Sequence, residues 1–216
     1  LKMEGSSISK IKCPYCGTEF EFTKYDFINA DKDRDLRDEC VSGDLFRVSC
    51  PHCKKEFMLL YPVLYFDPSH KFVIWFSAKE MPKSMDALKK EIAKSGYTLR
   101  RCSTLDEFTE KIQIFEDGLD DVMVELAKYD CFIEFIDNKK GTVEDITAIT
   151  YERADNGVIK INVRADDKGM SFTIPLSMME EEMNTDIDKY KVNNEDWPCI
   201  NRDYIISLFK KTEGKA

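Results

Sequence analysis

The sequence predicts an α+β protein, with cysteine-bearing turns on a small antiparallel sheet packed by helices, followed by a second small α+β unit. Three observations predict this fold class. A cysteine motif occurs twice before strand-like residues, amphipathic helical stretches follow, and the last third of the chain alternates between strand-like segments and turn signals. At roughly 100–200 residues per domain, 216 residues suit two domains, which we predict at 8–137 and 141–216.

Composition excludes several classes of protein. Hydrophobic residues make up 43% and charged residues 34% of the chain, which is typical of a globular protein with a substantial core. The longest apolar run, residues 57–66, spans ten residues and contains Pro62, whereas a membrane helix needs about 20. The first twelve residues hold no apolar stretch of signal-peptide length, so we expect a cytoplasmic protein with no membrane segment.

Charge and motif content narrow the function classes further. A net charge of -9 repels a phosphate backbone, so nucleic acid is a disfavoured partner. No two of the nine glycines stand as Gly-x-Gly, so dinucleotide fingerprints and phosphate-binding P-loops are absent from the sequence. His52 and His70 are the only histidines, which limits histidine-based catalysis.

The first elements surround an internal repeat. Residues 13–20 read CPYCGTEF and residues 50–57 read CPHCKKEF, at an offset of 37 residues. Alternation in residues 19–22 and the apolar run at 57–66 each predict a strand after the cysteine turn. Between the two copies, the charged residues 31–40 predict a short helix or loop.

Strand and helix signals alternate after the second copy. Residues 67–70 have the composition of a turn, and residues 71–76 that of a buried strand. Ser84 caps a predicted helix that continues to about Ser95, and residues 97–102 predict another strand.

Two amphipathic helices come next. Thr104 and Glu107 form a capping box at the start of the first. Gly118 interrupts the helical pattern, and a second helix is predicted from Leu119 to about Ile133. We interpret the apolar stripe of each helix as core packing.

Beyond a composition shift at residues 138–141, the sequence predicts an antiparallel meander with helices. Residues 159–163 and 170–174 alternate as strands do, and turn signals stand at 155–157 and 167–169. No motif in this unit indicates chemistry. Two helices follow, the first with a Ser177/Glu180 capping box and the second from Asn201, with Tyr204, Ile205, Leu208 and Phe209 facing inward.

The cysteine pairs predict a metal site. Four thiolates satisfy the tetrahedral preference of Zn²⁺, and a two-residue gap lets both sulfurs of one turn point at one ion, as in a zinc ribbon. Gly17 suits the left-handed position after the first pair, whereas Lys54 at the matching place departs from that pattern. The predicted ligands are Cys13, Cys16, Cys50 and Cys53.

We expect the zinc site to be structural. Cysteine fills all four positions, so no bound water can be activated, and we predict no catalytic residue. The 33 residues between the two pairs require an insertion, which residues 31–40 can supply. Four lysines flank the turns and would offset the negative charge of the thiolates, namely Lys10, Lys12, Lys54 and Lys55.

Redox chemistry is the main alternative. Cys-Pro-Tyr-Cys resembles the active-site tetrapeptide of glutaredoxins, and Cys-Pro-His-Cys that of periplasmic thiol oxidants. In those families the first cysteine begins a helix, whose N-terminus lowers the thiol pKa. Strand-like residues follow both pairs here, which favours a shared metal over a thiol-disulfide oxidoreductase. A role limited to packing or disulfides is the third possibility.

Other polar residues support weaker hypotheses. Asp31, Asp33 and Asp35 are similar to a calcium loop but lack its glycine and its bidentate glutamate. We interpret His52 as the exposed variable residue of its turn, rather than a ligand or a base, and His70 as a turn residue without a function.

Two further groups are also interpreted as structural. An acidic cluster at the predicted helix junction could bind a cation or a basic partner, or support hydrolase or transferase chemistry, but helix-end charge is the simpler interpretation. It consists of Glu116, Asp117, Asp120 and Asp121. The unpaired cysteines are expected to be small core residues, namely Cys40, Cys102, Cys131 and Cys199.

The paired motifs resemble the CpXC family, a prokaryotic domain named for its Cys-Pro-x-Cys motifs. Further segments resemble family features in the same order, at residues 25–29, 43–46, 61–65 and 111–128. The resemblance covers about residues 8–137 and implies a bacterial or archaeal protein with a metal-binding module, but no reaction. We therefore expect a non-catalytic zinc-binding module that presents a surface to a protein partner.

Overall fold

A computed structural model describes residues 5–82, 91–92, 94–138, 141–154, 157–166 and 168–213. Within these ranges, no helix has the length and apolar character needed to cross a bilayer. The chain divides into two compact units, Leu1–Ile112 with Asn193–Pro198, and Gln113–Val192 with Cys199–Ala216. The composition shift at residues 138–141 lies inside the second unit, and the domains 8–137 and 141–216 stay a prediction.

The first unit contains most of the strands. In chain order its elements are β1 (Ser7–Lys12), β2 (Glu19–Lys24), β3 (Phe27–Asn29), α1 (Arg34–Ser42), β4 (Arg47–Ser49), β5 (Glu56–Met58), β6 (Val63–Asp67), β7 (Phe72–Phe76), β8 (Thr98–Cys102) and the larger part of α2 (Leu105–Glu116). The α+β fold class is confirmed. The predicted helix at 84–95 lies mostly outside the described residues.

Two antiparallel hairpins carry the cysteine turns. β1 pairs with β2, and β4 pairs with β5. The strands predicted after both turns are therefore confirmed. The apolar run at 57–66 is nevertheless not one strand, because it divides between β5 and β6 on either side of Pro62, whose ring removes a backbone donor.

A four-stranded sheet forms the core of the first unit, in the order β3-β6-β7-β8. β6 and β7 are antiparallel, whereas the β3–β6 and β7–β8 pairs are parallel. All five residues of β7 are buried, as their continuous apolar sequence predicts. Phe46, Phe76 and Phe108 form an aromatic cluster with ring centroids 4.9–6.2 Å apart.

Local signals explain how the helices of this unit begin and end. α1 ends at Ser42, and the next residue, Gly43, has a φ of 80°, the left-handed conformation common after a helix. The predicted capping box of α2 is confirmed, since Glu107 N–H donates to Thr104 Oγ1 at 3.2 Å and Thr104 N–H to Glu107 Oε2 at 3.3 Å.

The second unit packs helices against a three-stranded meander. Its elements are α3 (Asp121–Asp137), β9 (Ile146–Arg153), β10 (Val158–Ala165), β11 (Lys168–Pro175), α4 (Leu176–Thr185), α5 (Ile187–Tyr190) and α6 (Arg202–Glu213). The central strand β10 contributes Ile159, Ile161 and Val163, all fully buried, to one apolar core. The turns predicted at 155–157 and 167–169 lie partly outside the described residues.

Two predicted helix starts differ from the structure. α3 begins at Asp121 because Asp120 is its N-cap, with its Oδ1 accepting the Val122 N–H at 2.7 Å. α4 begins at Leu176 after Pro175 without a side-chain cap, so the Ser177/Glu180 capping box was wrong. α6 does follow Asn201, whose Oδ1 accepts the Tyr204 N–H at 3.2 Å.

Candidate metal centre

Both cysteine turns have the same backbone hydrogen bonds. In the first turn, Cys13 N–H donates to the Thr18 carbonyl at 3.0 Å and Gly17 N–H to the Cys13 carbonyl at 2.9 Å. The corresponding bonds of the second turn join Cys50 to Lys55 and Lys54 to Cys50, both at 3.0 Å. The sequence repeat is therefore a structural repeat.

The residue after each second cysteine is left-handed. Gly17 has φ of 73° and Lys54 has φ of 62°. A side chain in this conformation costs roughly 1–2 kcal/mol, whereas glycine adopts it readily. Lys54, which stands where the first turn has glycine, is thus a strained residue in an otherwise equivalent turn.

Substitutions at these two positions should have opposite effects on stability. We expect Lys54→Gly to raise the free energy of unfolding by up to about 1 kcal/mol, and Gly17→Ala to lower it by about 1 kcal/mol. A Cβ at Gly17 would meet no described atom within 4 Å, so that loss would come from the backbone alone. Urea unfolding of metal-loaded protein measures the free energy of unfolding of both variants. Lys54→Ala removes the charge but keeps the Cβ, and an equal gain in that control would contradict strain as the cause.

The four predicted ligand sulfurs converge on one point. All four Sγ atoms lie within 4.8 Å of one another. The Cys13–Cys53 sulfurs are 3.6 Å apart and the Cys16–Cys50 sulfurs 3.8 Å apart. Tetrahedral coordination at about 2.3 Å per sulfur requires sulfurs about 3.8 Å apart, whereas a disulfide requires about 2.0 Å. The donor set therefore fits a thiolate-bound metal ion, held by two cysteines from each hairpin.

Hydrogen bonds to the sulfurs shift the thiol pKa values. The Thr18 hydroxyl and N–H both donate to Cys16 and lower its pKa to about 5. The N–H of Cys53 lowers the pKa of Cys50. The N–H of Lys55 acts in the same direction on Cys53, but burial and the neighbouring cysteines raise its pKa to about 11. A divalent cation between the sulfurs would stabilise the thiolate form of all four.

Side chains also join the two turns directly. Lys55 Nζ of the second turn lies 5.0 Å from the ring centroid of Tyr15 in the first, a cation–π distance. The same Tyr15 ring meets Phe57 edge-to-face at 6.5 Å. Tyr15 is the third residue of the first copy of the repeat and Phe57 the last residue of the second, so no local pattern predicted this contact.

Comparison with known families agrees with this geometry. A family model described as CpXC protein matches residues 11–128, which is more than half of the chain and includes both cysteine pairs. The chain belongs to the CpXC family. No curated protein and no solved structure matches it.

The other cysteines and histidines of this CpXC chain do not belong to the group of four that could hold an ion. His52 is exposed, as expected for the variable residue of its turn. Cys40, Cys102 and Cys131 are buried as predicted, and Cys199 is half-buried. Burial raises the pKa of Cys131 to about 12, as expected for a core thiol.

The acidic cluster of the CpXC chain serves structure in the second unit. Asp120 caps α3, and Asp117 accepts a hydrogen bond from the Tyr151 hydroxyl at 2.6 Å and pairs with Arg153 at 3.1 Å. Within the described ranges, the four cysteines are the only group of three or more His, Cys, Asp or Glu close enough to share an ion. Neither this cluster nor the aspartates at 31–35 form such a group.

Proposed function

We propose that this CpXC protein binds one Zn²⁺ through Cys13, Cys16, Cys50 and Cys53, and that the site is structural rather than catalytic. The observation that carries the proposal is the convergence of four sulfurs within 4.8 Å. An all-sulfur tetrahedral set is typical of structural zinc, and it leaves no position for a reactive water. Lys10, Lys12, Lys54 and Lys55 supply positive charge around the turns.

We further propose that the module presents a surface to a protein partner in the cytoplasm. Several apolar side chains are exposed on or beside the cysteine hairpins, including Ile8 at 72%, Tyr15 at 56% and Leu60 at 50%. Exposed apolar side chains offer apolar surface to a protein partner. A net charge of -9 disfavours nucleic acid.

Metal analysis tests the zinc proposal. Protein purified without chelator should contain about one zinc per chain by elemental mass spectrometry, with an anomalous signal at the zinc absorption edge. Cys13→Ser with Cys50→Ser removes one ligand from each hairpin and should abolish the zinc. Cys199→Ser is the matched control and should retain it. Zinc well below one per chain in the wild type, or equal zinc in the ligand variant, would refute the proposal.

A thiol-disulfide oxidoreductase is the second candidate. Cys16 is exposed and its pKa is lowered to about 5, as a reactive thiol requires. The cysteines are followed by β2 and β5 rather than by a helix, which disfavours this candidate. It predicts that wild-type protein reduces insulin disulfides and that Cys16→Ser does not. Inactivity of the wild type would exclude it.

A further inference from the structure

The four cysteines of the metal centre differ in their exposure to solvent. Cys13 and Cys50 are buried and Cys53 is half-buried, whereas Cys16 is exposed. A cysteine that a dissolved oxidant can reach is oxidised before a buried one. Cys16 is therefore the position at which an oxidant first meets the sulfur cluster.

Bound zinc would leave sulfur as the group that is oxidised. Zn²⁺ has no redox chemistry of its own, so an oxidant takes electrons from the ligands and not from the ion. Metal ligation keeps the cysteines in the thiolate form, which is the form that attacks an oxidant. The zinc site proposed above would thus present one exposed thiolate to solvent, that of Cys16.

A second sulfur is already in contact with that of Cys16. Cys50 Sγ lies 3.8 Å from Cys16 Sγ and belongs to the opposite hairpin. A disulfide bond is about 2.0 Å long, so the two sulfurs need to approach by less than about 2 Å. Because Cys50 is buried, it stays reduced while Cys16 is oxidised. The two cysteines have the arrangement of an oxidisable cysteine beside a resolving one.

We propose that Cys16 is an oxidation site, at which hydrogen peroxide joins the two hairpins by a Cys16–Cys50 disulfide and releases the zinc. This inference rests on the zinc site proposed above. The Cys16 thiolate attacks the peroxide, so that an S–O bond forms, the O–O bond breaks and hydroxide leaves. The Cys50 thiolate then attacks the sulfenic sulfur, so that an S–S bond forms, the S–O bond breaks and a second hydroxide leaves.

The same steps account for the release of the metal. The two sulfurs give up two electrons, and the two hydroxide ions take two protons from solvent to become water. Cys13 and Cys53 alone remain as thiolates, and two ligands do not complete a structural zinc site. The disulfide then replaces the ion as the link between the hairpins. Reduction by a dithiol returns both thiolates, so that zinc binds again.

Peroxide treatment of full-length, zinc-loaded protein tests this inference. A chromogenic chelator should register the loss of about one zinc per chain, and dithiothreitol with added zinc should restore it. Trypsin locates the disulfide, because Cys16 lies in peptide 13–24 and Cys50 in peptide 48–54. Mass spectrometry should find these peptides joined after peroxide, and separate after chelation under reducing conditions. A disulfide within peptide 13–24, or zinc loss without joined peptides, would overturn the proposal.

Trapping of the sulfenic acid identifies the cysteine that reacts first. Dimedone, added together with peroxide, should label Cys16. Label that falls on Cys13, Cys50 or Cys53 instead would contradict the assignment. Zinc content, measured first on the same sample, separates the two proposals. Wild type without zinc refutes the metal site itself, whereas loaded wild type that keeps its zinc in peroxide refutes only the oxidation site.

A matched pair of ligand variants separates Cys16 from the rest of the cluster. Three cysteines and one histidine are also a structural zinc set, so Cys16→His and Cys53→His should both retain the metal. Cys16→His removes the exposed thiolate and should slow the release of zinc by peroxide about tenfold or more. Cys53→His keeps the Cys16–Cys50 pair and should release zinc at the wild-type rate. Equal slowing in both variants would show that Cys16 is not the site of attack.

Discussion

Removal of the metal should unfold both cysteine hairpins while the second unit keeps its structure. β1–β2 and β4–β5 are isolated two-stranded sheets, and the strands of the second pair are only three residues long. Such hairpins are marginal in water without further support. Structural zinc contributes roughly 10–16 kcal/mol of apparent binding free energy at neutral pH, and that energy is coupled to folding.

Hydrogen exchange measures this effect segment by segment. Chelator treatment, or Cys50→Ser, should remove amide protection from Ser7–Lys12 and Glu56–Met58. Protection in β10 should persist, because its buried residues pack in a core drawn from the second unit. Cys199→Ser should leave every segment protected. Hairpins that stay protected in both the chelated protein and Cys50→Ser would contradict a metal-dependent fold.

The sequence predicts which four cysteines the fold brings together because the signals for them are local. Each turn has one proline, two cysteines and strand-forming neighbours. The repeat of this pattern indicates that both turns contribute to the same site. Four thiols with no other evident role then predict a common centre. The less favourable second turn could also be predicted from the sequence, because Lys54 aligns with Gly17 in the repeat.

Other features depend on contacts that no local pattern specifies. Ser69 donates its hydroxyl hydrogen bond to Asp31 across 38 positions, a contact that the composition of the turn at residues 67–70 does not predict. The parallel pairing of β3 with β6 is likewise long-range. Trp197, more than 90 positions from Leu99, packs with it in the first unit. Hydrophobic periodicity identifies which face of an element is buried, but not which element covers it.

Phe46→Ala should cause a large loss of stability in the first unit. Phe46 is fully buried, and its ring centroid lies 4.9 Å from Phe76, 5.2 Å from Tyr61 and 6.2 Å from Phe108. Truncating such a side chain removes its transfer free energy and leaves a cavity, at a cost of about 3–5 kcal/mol. The aromatic pairs add about 0.5–1.5 kcal/mol each beyond burial, so we expect the upper part of that range.

Tryptophan fluorescence isolates this effect from the second unit. The chain has two tryptophans, Trp75 and Trp197, and both are buried in the first unit. Urea unfolding of zinc-loaded protein, followed by this signal, therefore reports on the first unit alone. Leu60→Ala is the control, since Leu60 is 50% exposed and its loss should cost less than about 0.5 kcal/mol. A Phe46→Ala cost no greater than that of the control would show that the aromatic cluster does not hold the sheet together.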